Sequence, residues 1–115
     1  MEPILLVFTS APNREAARTL ADGLIAARLA ACVNLLAECT SVYRWKGAVE
    51  SAAEVPVLIK TRAALLPEVE AFIHGHHPYE VPEVIAVAVD GGSAAYLQWL
   101  AQETQPEPPS AVERS

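Results

Sequence analysis

Basic residues are scarce in this chain of 115 residues, which has 8 lysines and arginines against 14 aspartates and glutamates. Without residues 105–115 the counts are 7 and 12, so the acidity belongs to the part that is expected to fold. Nucleic-acid binding depends on clustered basic side chains that release counterions, and the sequence holds no such cluster. The charge therefore excludes a nucleic-acid partner and favours cations or neutral partners.

Long apolar runs are missing as well, although 52% of the residues are hydrophobic. No run reaches the ~18 residues that a membrane-spanning helix needs, and no charged-then-apolar leader stands at the beginning. The apolar content is enough for one core in a chain of this length. We therefore expect a single domain over residues 1–104, located in the cytoplasm and without a membrane partner.

Cysteine is nearly absent, since Cys32 and Cys39 are the 2 in the chain. Both fall on one predicted strand, where the extended backbone holds them too far apart to form a disulfide. They are predicted to be buried free thiols in a reducing compartment.

Signals for catalysis are weak. With 5 glycines the chain has no glycine-rich phosphate loop, and Gly91 and Gly92 indicate a turn. The serines and cysteines lack an evident histidine and carboxylate arrangement that would activate them as nucleophiles. We therefore expect a protein that is not an enzyme.

Residues 32–62 are the most informative stretch that is present. Aromatic and β-branched residues nearly alternate on both sides of Lys46 and Gly47, which predicts a long β-hairpin. Two loops are possible at the tip. One has two residues, and the other has three or four residues with Gly47 in the left-handed conformation. An arm of about 13 residues spans roughly 43 Å, more than a domain of this size covers. We expect a bulge near Pro56 or Glu38–Cys39, together with arms that cross onto a neighbouring subunit.

Tyr43 and Trp45 fall on the same face of the hairpin near its tip. Two large aromatic side chains there would form an exposed apolar patch unless another chain covered them. The alternative is that they fold back onto their own core. We favour self-association, with Trp45 as a contact between subunits.

Hydrophobic periodicity predicts the other elements. A strand over residues 4–9 leads to a helix over 14–30, which Asn13 is predicted to cap. A second helix is predicted over 63–73, and a short helix after Ser93. The apolar strand over 84–89 is expected to be central in the sheet. The order βαββαβ plus a C-terminal helix indicates an α+β, ferredoxin-like sandwich with one sheet face open. Residues 105–115 hold three prolines and are expected to be a disordered tail.

All three histidines lie close together in the sequence, with two glutamates after them: His74, His76, His77, Glu80 and Glu83. Imidazole and carboxylate suit a borderline divalent ion such as copper, zinc or nickel. The alternative is structural, because histidines near a helix end cap its last carbonyl groups without any metal.

Five motifs occur in order, at residues 27–34 (ARLAACVN), 40–47 (TSVYRWKG), 58–61 (LIKT), 76–83 (HHPYEVPE) and 96–100 (YLQWL). Together they strongly resemble the CutA family of divalent cation tolerance proteins. The resemblance implies a homotrimer of ferredoxin-like subunits that binds divalent metal ions, copper foremost, through His76 and His77. The family's third copper ligand is a cysteine in the first strand, and the matching residue here is Phe8, which cannot ligate a metal.

The resemblance extends to the assembly of nitrogen-regulatory signalling trimers. It therefore implies an alternative function, a PII-like signalling or scaffold trimer that binds a small ligand in a cleft between subunits. The residues expected to line this cleft are Tyr43, Glu50, Lys60 and Tyr79.

Overall fold

The computed structural model describes residues 2–106. Its elements are β1 (Ile4–Ala11), α1 (Arg14–Ala26), β2 (Cys32–Leu35), β3 (Cys39–Trp45), β4 (Ala48–Arg62), a short 3-10 helix (Ala63–Leu65), α2 (Leu66–His76), β5 (Ile85–Ala88) and α3 (Ala94–Glu103). The predicted α+β class and element order are confirmed. The tail predicted for residues 105–115 lies, from residue 107 onward, outside the described residues.

The sheet is antiparallel and is built around β4. The second half of β4 pairs with β1 on one side and with β2 on the other, whereas its first half pairs with β3. Strand β5 pairs with β1 in the order β2-β4-β1-β5, so it lies at an edge and the predicted central position is wrong. The apolar residues of β5 are not all in the core. Ile85 and Val87 lie on an exposed face of the sheet, where they are 57% and 52% exposed.

The hairpin has the predicted break in its first arm. Residues 36–38 separate β2 from β3, and the Leu36 N–H donates to the carbonyl of Pro56 at 3.0 Å. At the tip, Trp45 faces Ala48 across a two-residue loop in which Lys46 and Gly47 have φ values of 49° and 82°. Positive φ at both positions is the geometry of a type I′ turn, which matches the twist of the strands.

Helices α1 and α2 pack on one face of the sheet. Val7, Val57 and Ile59 from the strands meet Leu24 of α1 and Ile73 of α2 in a single buried cluster. Asn13 caps α1 as predicted, by accepting from the Ala16 N–H at 2.8 Å. The helix ends at Ala26 instead of the predicted Ala30, because Arg28 adopts a φ of 58° that turns the chain toward β2.

The opposite sheet face is only partly covered by residues 2–106. Alternate residues of a strand share a face, and those of this face include half-buried Leu6, Phe8 and Leu58. Helix α3 lies near one end of it, where the Lys60 ammonium is 5.8 Å from the Tyr96 ring centroid. The radius of gyration is 16.0 Å, against about 13 Å for a compact domain of this length. The hairpin accounts for this elongation.

The cysteines were predicted to be free and buried, and the prediction of burial is wrong. Cys32 and Cys39 are both free, but Cys32 is only half-buried and Cys39 is exposed. Cys39 begins β3, the strand that pairs with the first half of β4. Among the helices of residues 2–106, none combines the length and apolar character needed to cross a membrane.

Candidate functional site

A cleft of about 710 Å³ lies between the first half of β4, strand β3 and the loop that follows α2. The pairing register explains which side chains face it. Tyr43 is opposite Glu50 and Trp45 is opposite Ala48, and alternate residues share a face. Glu50 and Glu54 therefore project on the same side of the hairpin as the two aromatic rings.

Glu54 is the most enclosed charged group of the cleft, with 9% of its surface exposed. Its Oε2 accepts a hydrogen bond from the Ser10 hydroxyl at 3.1 Å. Burial, followed by the charge of Glu54 and a hydrogen bond to it, raises the pKa of the Tyr79 phenol. Glu54 thus joins β1, β4 and the loop after α2.

His77 holds that loop against the sheet with both ring nitrogens. Its Nε2 lies 2.5 Å from the carbonyl oxygen of Ser10, and its Nδ1 accepts from the Tyr79 N–H at 3.0 Å. A carbonyl oxygen only accepts, so Nε2 carries the proton and the single lone pair of Nδ1 is already used. His77 therefore has no nitrogen left for a metal ion in this arrangement.

His76 is exposed and turns back toward its own helix. Its ring stacks on Phe72 with centroids 4.1 Å apart, and its Nδ1 lies 2.9 Å from the Phe72 carbonyl oxygen. Nδ1 must donate in that bond, which leaves the lone pair of Nε2 available. Of the two histidines predicted as ligands, His76 alone offers a nitrogen.

A metal site of three ligands is not assembled within residues 2–106, where no three histidine, cysteine, aspartate or glutamate side chains lie close enough to share an ion. His76 turns toward Phe72 and His77 toward Ser10. Phe8 pairs with Leu58 on the face away from α1 and α2.

The residues predicted for a cleft between subunits were Tyr43, Glu50, Lys60 and Tyr79. The cleft of the single chain brings together Tyr43, Glu50 and Tyr79. Lys60 lies elsewhere in the single chain, against Tyr96 of α3. Trp45, predicted as a contact between subunits, is half-buried and forms part of the cleft wall. The Lys46 ammonium is 5.5 Å from the Trp45 ring centroid and 3.9 Å from a carboxylate oxygen of Glu80.

Sequence reasoning missed Glu54 and Ser10. The signal for Glu54 was its even spacing from Glu50 along one strand, which places both carboxylates on one face. Ser10 carried no comparable signal, because its role depends on pairing with Pro56 across the sheet.

A second cavity, of about 630 Å³, lies at the far end of the sheet beside Arg62. The Arg62 guanidinium donates to the carbonyl oxygen of Thr104 at 2.7 Å and to Glu2 at 2.8 Å. It therefore caps the end of α3, where a cation interacts favourably with the helix carbonyls.

These features define a class of protein: an α+β domain with one layer of helices on an antiparallel sheet, a projecting hairpin and a cleft at its side. The family profile described as CutA1 divalent ion tolerance protein matches residues 5–103. The chain therefore belongs to the CutA1 divalent ion tolerance family.

Individual relatives agree with this assignment. The human protein named Protein CutA is 46% identical over 98 residues, which are 85% of this chain and 55% of that protein. The divalent-cation tolerance protein CutA of Thermus thermophilus is 40% identical over 104 residues, covering 90% of this chain and 99% of that protein. The crystal structure of CutA1 from Oryza sativa has a TM-score of 0.88 at 42% identity, covering 92% and 97% of the two chains. The chain thus spans just over half of the human relative.

Proposed function

We propose that the chain is the subunit of a ferredoxin-like homotrimer that acts in the response to divalent cations and binds copper weakly. The observation that carries the proposal is the projecting end of the hairpin. Within residues 2–106, the stretch 48–54 of β4 pairs with β3 alone, and Val42 and Val49 are 70% and 65% exposed there. An isolated two-stranded ribbon is only marginally stable, so this end needs a partner that covers it.

The assembly is tested by sedimentation equilibrium of the purified protein, with an expected mass of three chains. Trp45→Glu places a charge at the proposed contact and should lower the mass or the thermal midpoint. Ala71→Glu adds the same charge on the exposed side of α2 and should change neither. A monomeric wild-type protein would overturn the assembly.

Copper binding is assigned to His76, because Nε2 of this ring is the one imidazole nitrogen of the pair that has its lone pair available. Imidazole is a suitable ligand for copper, and a single imidazole without converging partners holds an ion weakly. His77 contributes a second nitrogen only if its bond to Tyr79 opens.

Calorimetric titration of the native oligomer with copper tests this assignment. Binding of about one ion per subunit is expected for the wild-type protein and for His77→Ala. It should be lost in His76→Ala. Equal binding by all three proteins would place the copper elsewhere, and loss in His77→Ala alone would show that the loop opens to bind the ion.

The cleft supports a second candidate function, a signalling or scaffold trimer that responds to a small ligand. A concave surface lined by aromatic rings with a few converging polar groups is typical of small-molecule sites. This function predicts that folding and assembly are unchanged when divalent metals are removed by a chelator.

The proposal includes no catalytic activity, and it places the protein in the cytoplasm. A reducing compartment suits two free thiols, of which Cys39 is exposed. The family is not confined to one location, since the Arabidopsis thaliana relative, 44% identical over 103 residues, is named as a chloroplastic protein. Fluorescence microscopy of the tagged chain in its native host tests the location.

A further inference from the structure

The cleft contains a buried carboxylate without a positive partner. Glu54 is nine-tenths buried, and its hydrogen-bonding neighbours are the Ser10 hydroxyl and the Tyr79 phenol. Within residues 2–106, no lysine, arginine or histidine forms an ion pair with it. An ionised carboxylate accepts about four hydrogen bonds, so this group keeps acceptor capacity. A buried charge is costly unless it is compensated, and a bound cation would compensate it.

Aromatic rings line the same cleft. Tyr43 and Trp45 contribute to its lining from β3, and Tyr79 contributes from the loop after α2. The face of an aromatic ring attracts a cation, and the attraction grows when water is excluded. Rings and a carboxylate together favour a positively charged group that also carries carbon atoms.

The rim of the cleft already holds an ammonium group of the chain itself. The Lys46 Nζ lies 5.5 Å from the centre of the Trp45 ring and 3.9 Å from the Glu80 carboxylate. Both charged side chains are more than 70% exposed, so this pair is weak and a ligand can displace it. The arrangement shows that an ammonium fits between ring and carboxylate here.

A hydrated divalent ion matches this cleft less well. Calcium and magnesium take six or more oxygen ligands, and borderline ions take several nitrogen, sulfur or oxygen ligands. The described part of the chain brings no three such side chains to one point. A volume of about 710 Å³ instead suits a small organic molecule.

We propose that the cleft binds a small organic cation, an amine or quaternary ammonium compound, with its charged nitrogen beside Glu54 and its carbon atoms against Tyr43, Trp45 and Tyr79. This rests on the second candidate function, in which the cleft is the ligand site. It is independent of copper binding at His76.

The test is calorimetric titration of the native oligomer with choline chloride at constant ionic strength. Saturable binding of one choline per subunit is expected. The neutral carbon isostere dimethylbutanol has the same shape without the charge, and it should bind about tenfold or more weakly. Equal affinity for the two compounds would mean an apolar pocket only and would overturn the proposal.

Variants locate the site. Glu54→Gln keeps the shape and removes the charge, and Tyr43→Leu removes a ring; each should weaken choline binding about tenfold or more. Glu103→Gln removes one exposed carboxylate at the end of α3 and should leave binding unchanged. Circular dichroism and sedimentation confirm that each variant is folded and assembled.

The outcomes distinguish the organic-cation site from the proposed function in the response to divalent cations. Choline that does not bind, while copper still binds through His76 and the trimer forms, would overturn the organic-cation site and leave the cation-response function standing. An equal loss of affinity in Glu103→Gln would also overturn it, because the attraction would then come from the overall negative charge.

Discussion

His77 is the residue whose role differs most from the prediction. His77→Ala leaves the Ser10 carbonyl and the Tyr79 N–H without their partner, and unmade hydrogen bonds of this kind cost about 1–3 kcal/mol. The free energy of unfolding should fall by that amount. His76→Ala, at an exposed position, should cost less than about 1 kcal/mol. Urea unfolding of the two variants measures the difference, and equal losses would contradict a structural role specific to His77.

Tyr79 provides a pH test of the same network. Burial and the neighbouring Glu54 raise its pKa, so the folded state favours the neutral phenol. The resulting stabilisation is fully present below the unfolded pKa of about 10 and is lost as the pH rises through the folded pKa. Glu54→Gln should move the phenol pKa back toward its ordinary value. Ultraviolet titration measures this shift, with Tyr79→Phe as the reference that contains only the other tyrosines. An unchanged pKa in Glu54→Gln would show that the two groups do not interact.

At the residue scale, the family resemblance named Tyr43, Glu50 and Tyr79 for a cleft between subunits, and the structure brings these three residues together in a cleft of the single chain. That a second subunit borders this cleft stays a prediction. The occupation of both His77 nitrogens could not be predicted, because Ser10 lies 67 positions away along the chain. Hydrogen-bond partners of that separation depend on the pairing of β1 with β4.

The contact between α1 and α2 depends on Gly23. A Cβ added at Gly23 would clash with Cζ of the Phe72 ring, and Cε1 and Cε2 of that ring would lie at 3.2 and 3.3 Å. Stacking on His76 limits the movement of this ring. Alanine gains up to about 1 kcal/mol in helix propensity, but overpacking costs about 1–3 kcal/mol. We expect Gly23→Ala to lower the thermal midpoint.

A double variant isolates the cause of that loss. Leucine at position 72 is smaller than phenylalanine, so Phe72→Leu should make room for the added methyl group. The two changes together should therefore cost less than the sum of the single variants, by about 0.5 kcal/mol or more. Additive losses would mean that Gly23 matters for another reason.

At the element scale, the periodic patterns predicted the strands, helices and hairpin but not their limits. Asn13 and Ser93 cap their helices as expected, with the Ser93 hydroxyl accepting from the Tyr96 N–H at 3.1 Å. The end of α1 was missed because residues 27–30 are compatible with a helix, and the turn at Arg28 follows from the path to β2. The edge position of β5 was missed because apolar residues on both faces occur in buried strands and in strands covered by another subunit.

At the scale of the whole molecule, one face of the sheet is only partly covered by residues 2–106. Half-buried Leu6, Phe8 and Leu58 lie there beside Ile85 and Val87, which are 57% and 52% exposed. Contiguous apolar surface of this kind is typical of sites that bind another protein or a ligand. The long hairpin and the open face were both predicted from the sequence, and both support the proposal that chains associate. The proposed number of three chains comes from the family resemblance and not from the pattern.

Val87→Lys tests whether assembly uses this face. The lysine would add a charge next to Leu6, where a neighbouring subunit is expected to bury it, and the oligomer mass should fall at micromolar concentration. The thermal midpoint should also become dependent on protein concentration, since subunits that stabilise one another do so by mass action. Ala71→Lys, on the exposed side of α2, is the matched control and should behave as the wild type. A Val87→Lys oligomer of unchanged mass and midpoint would place the interface elsewhere, leaving the hairpin tip as the main contact.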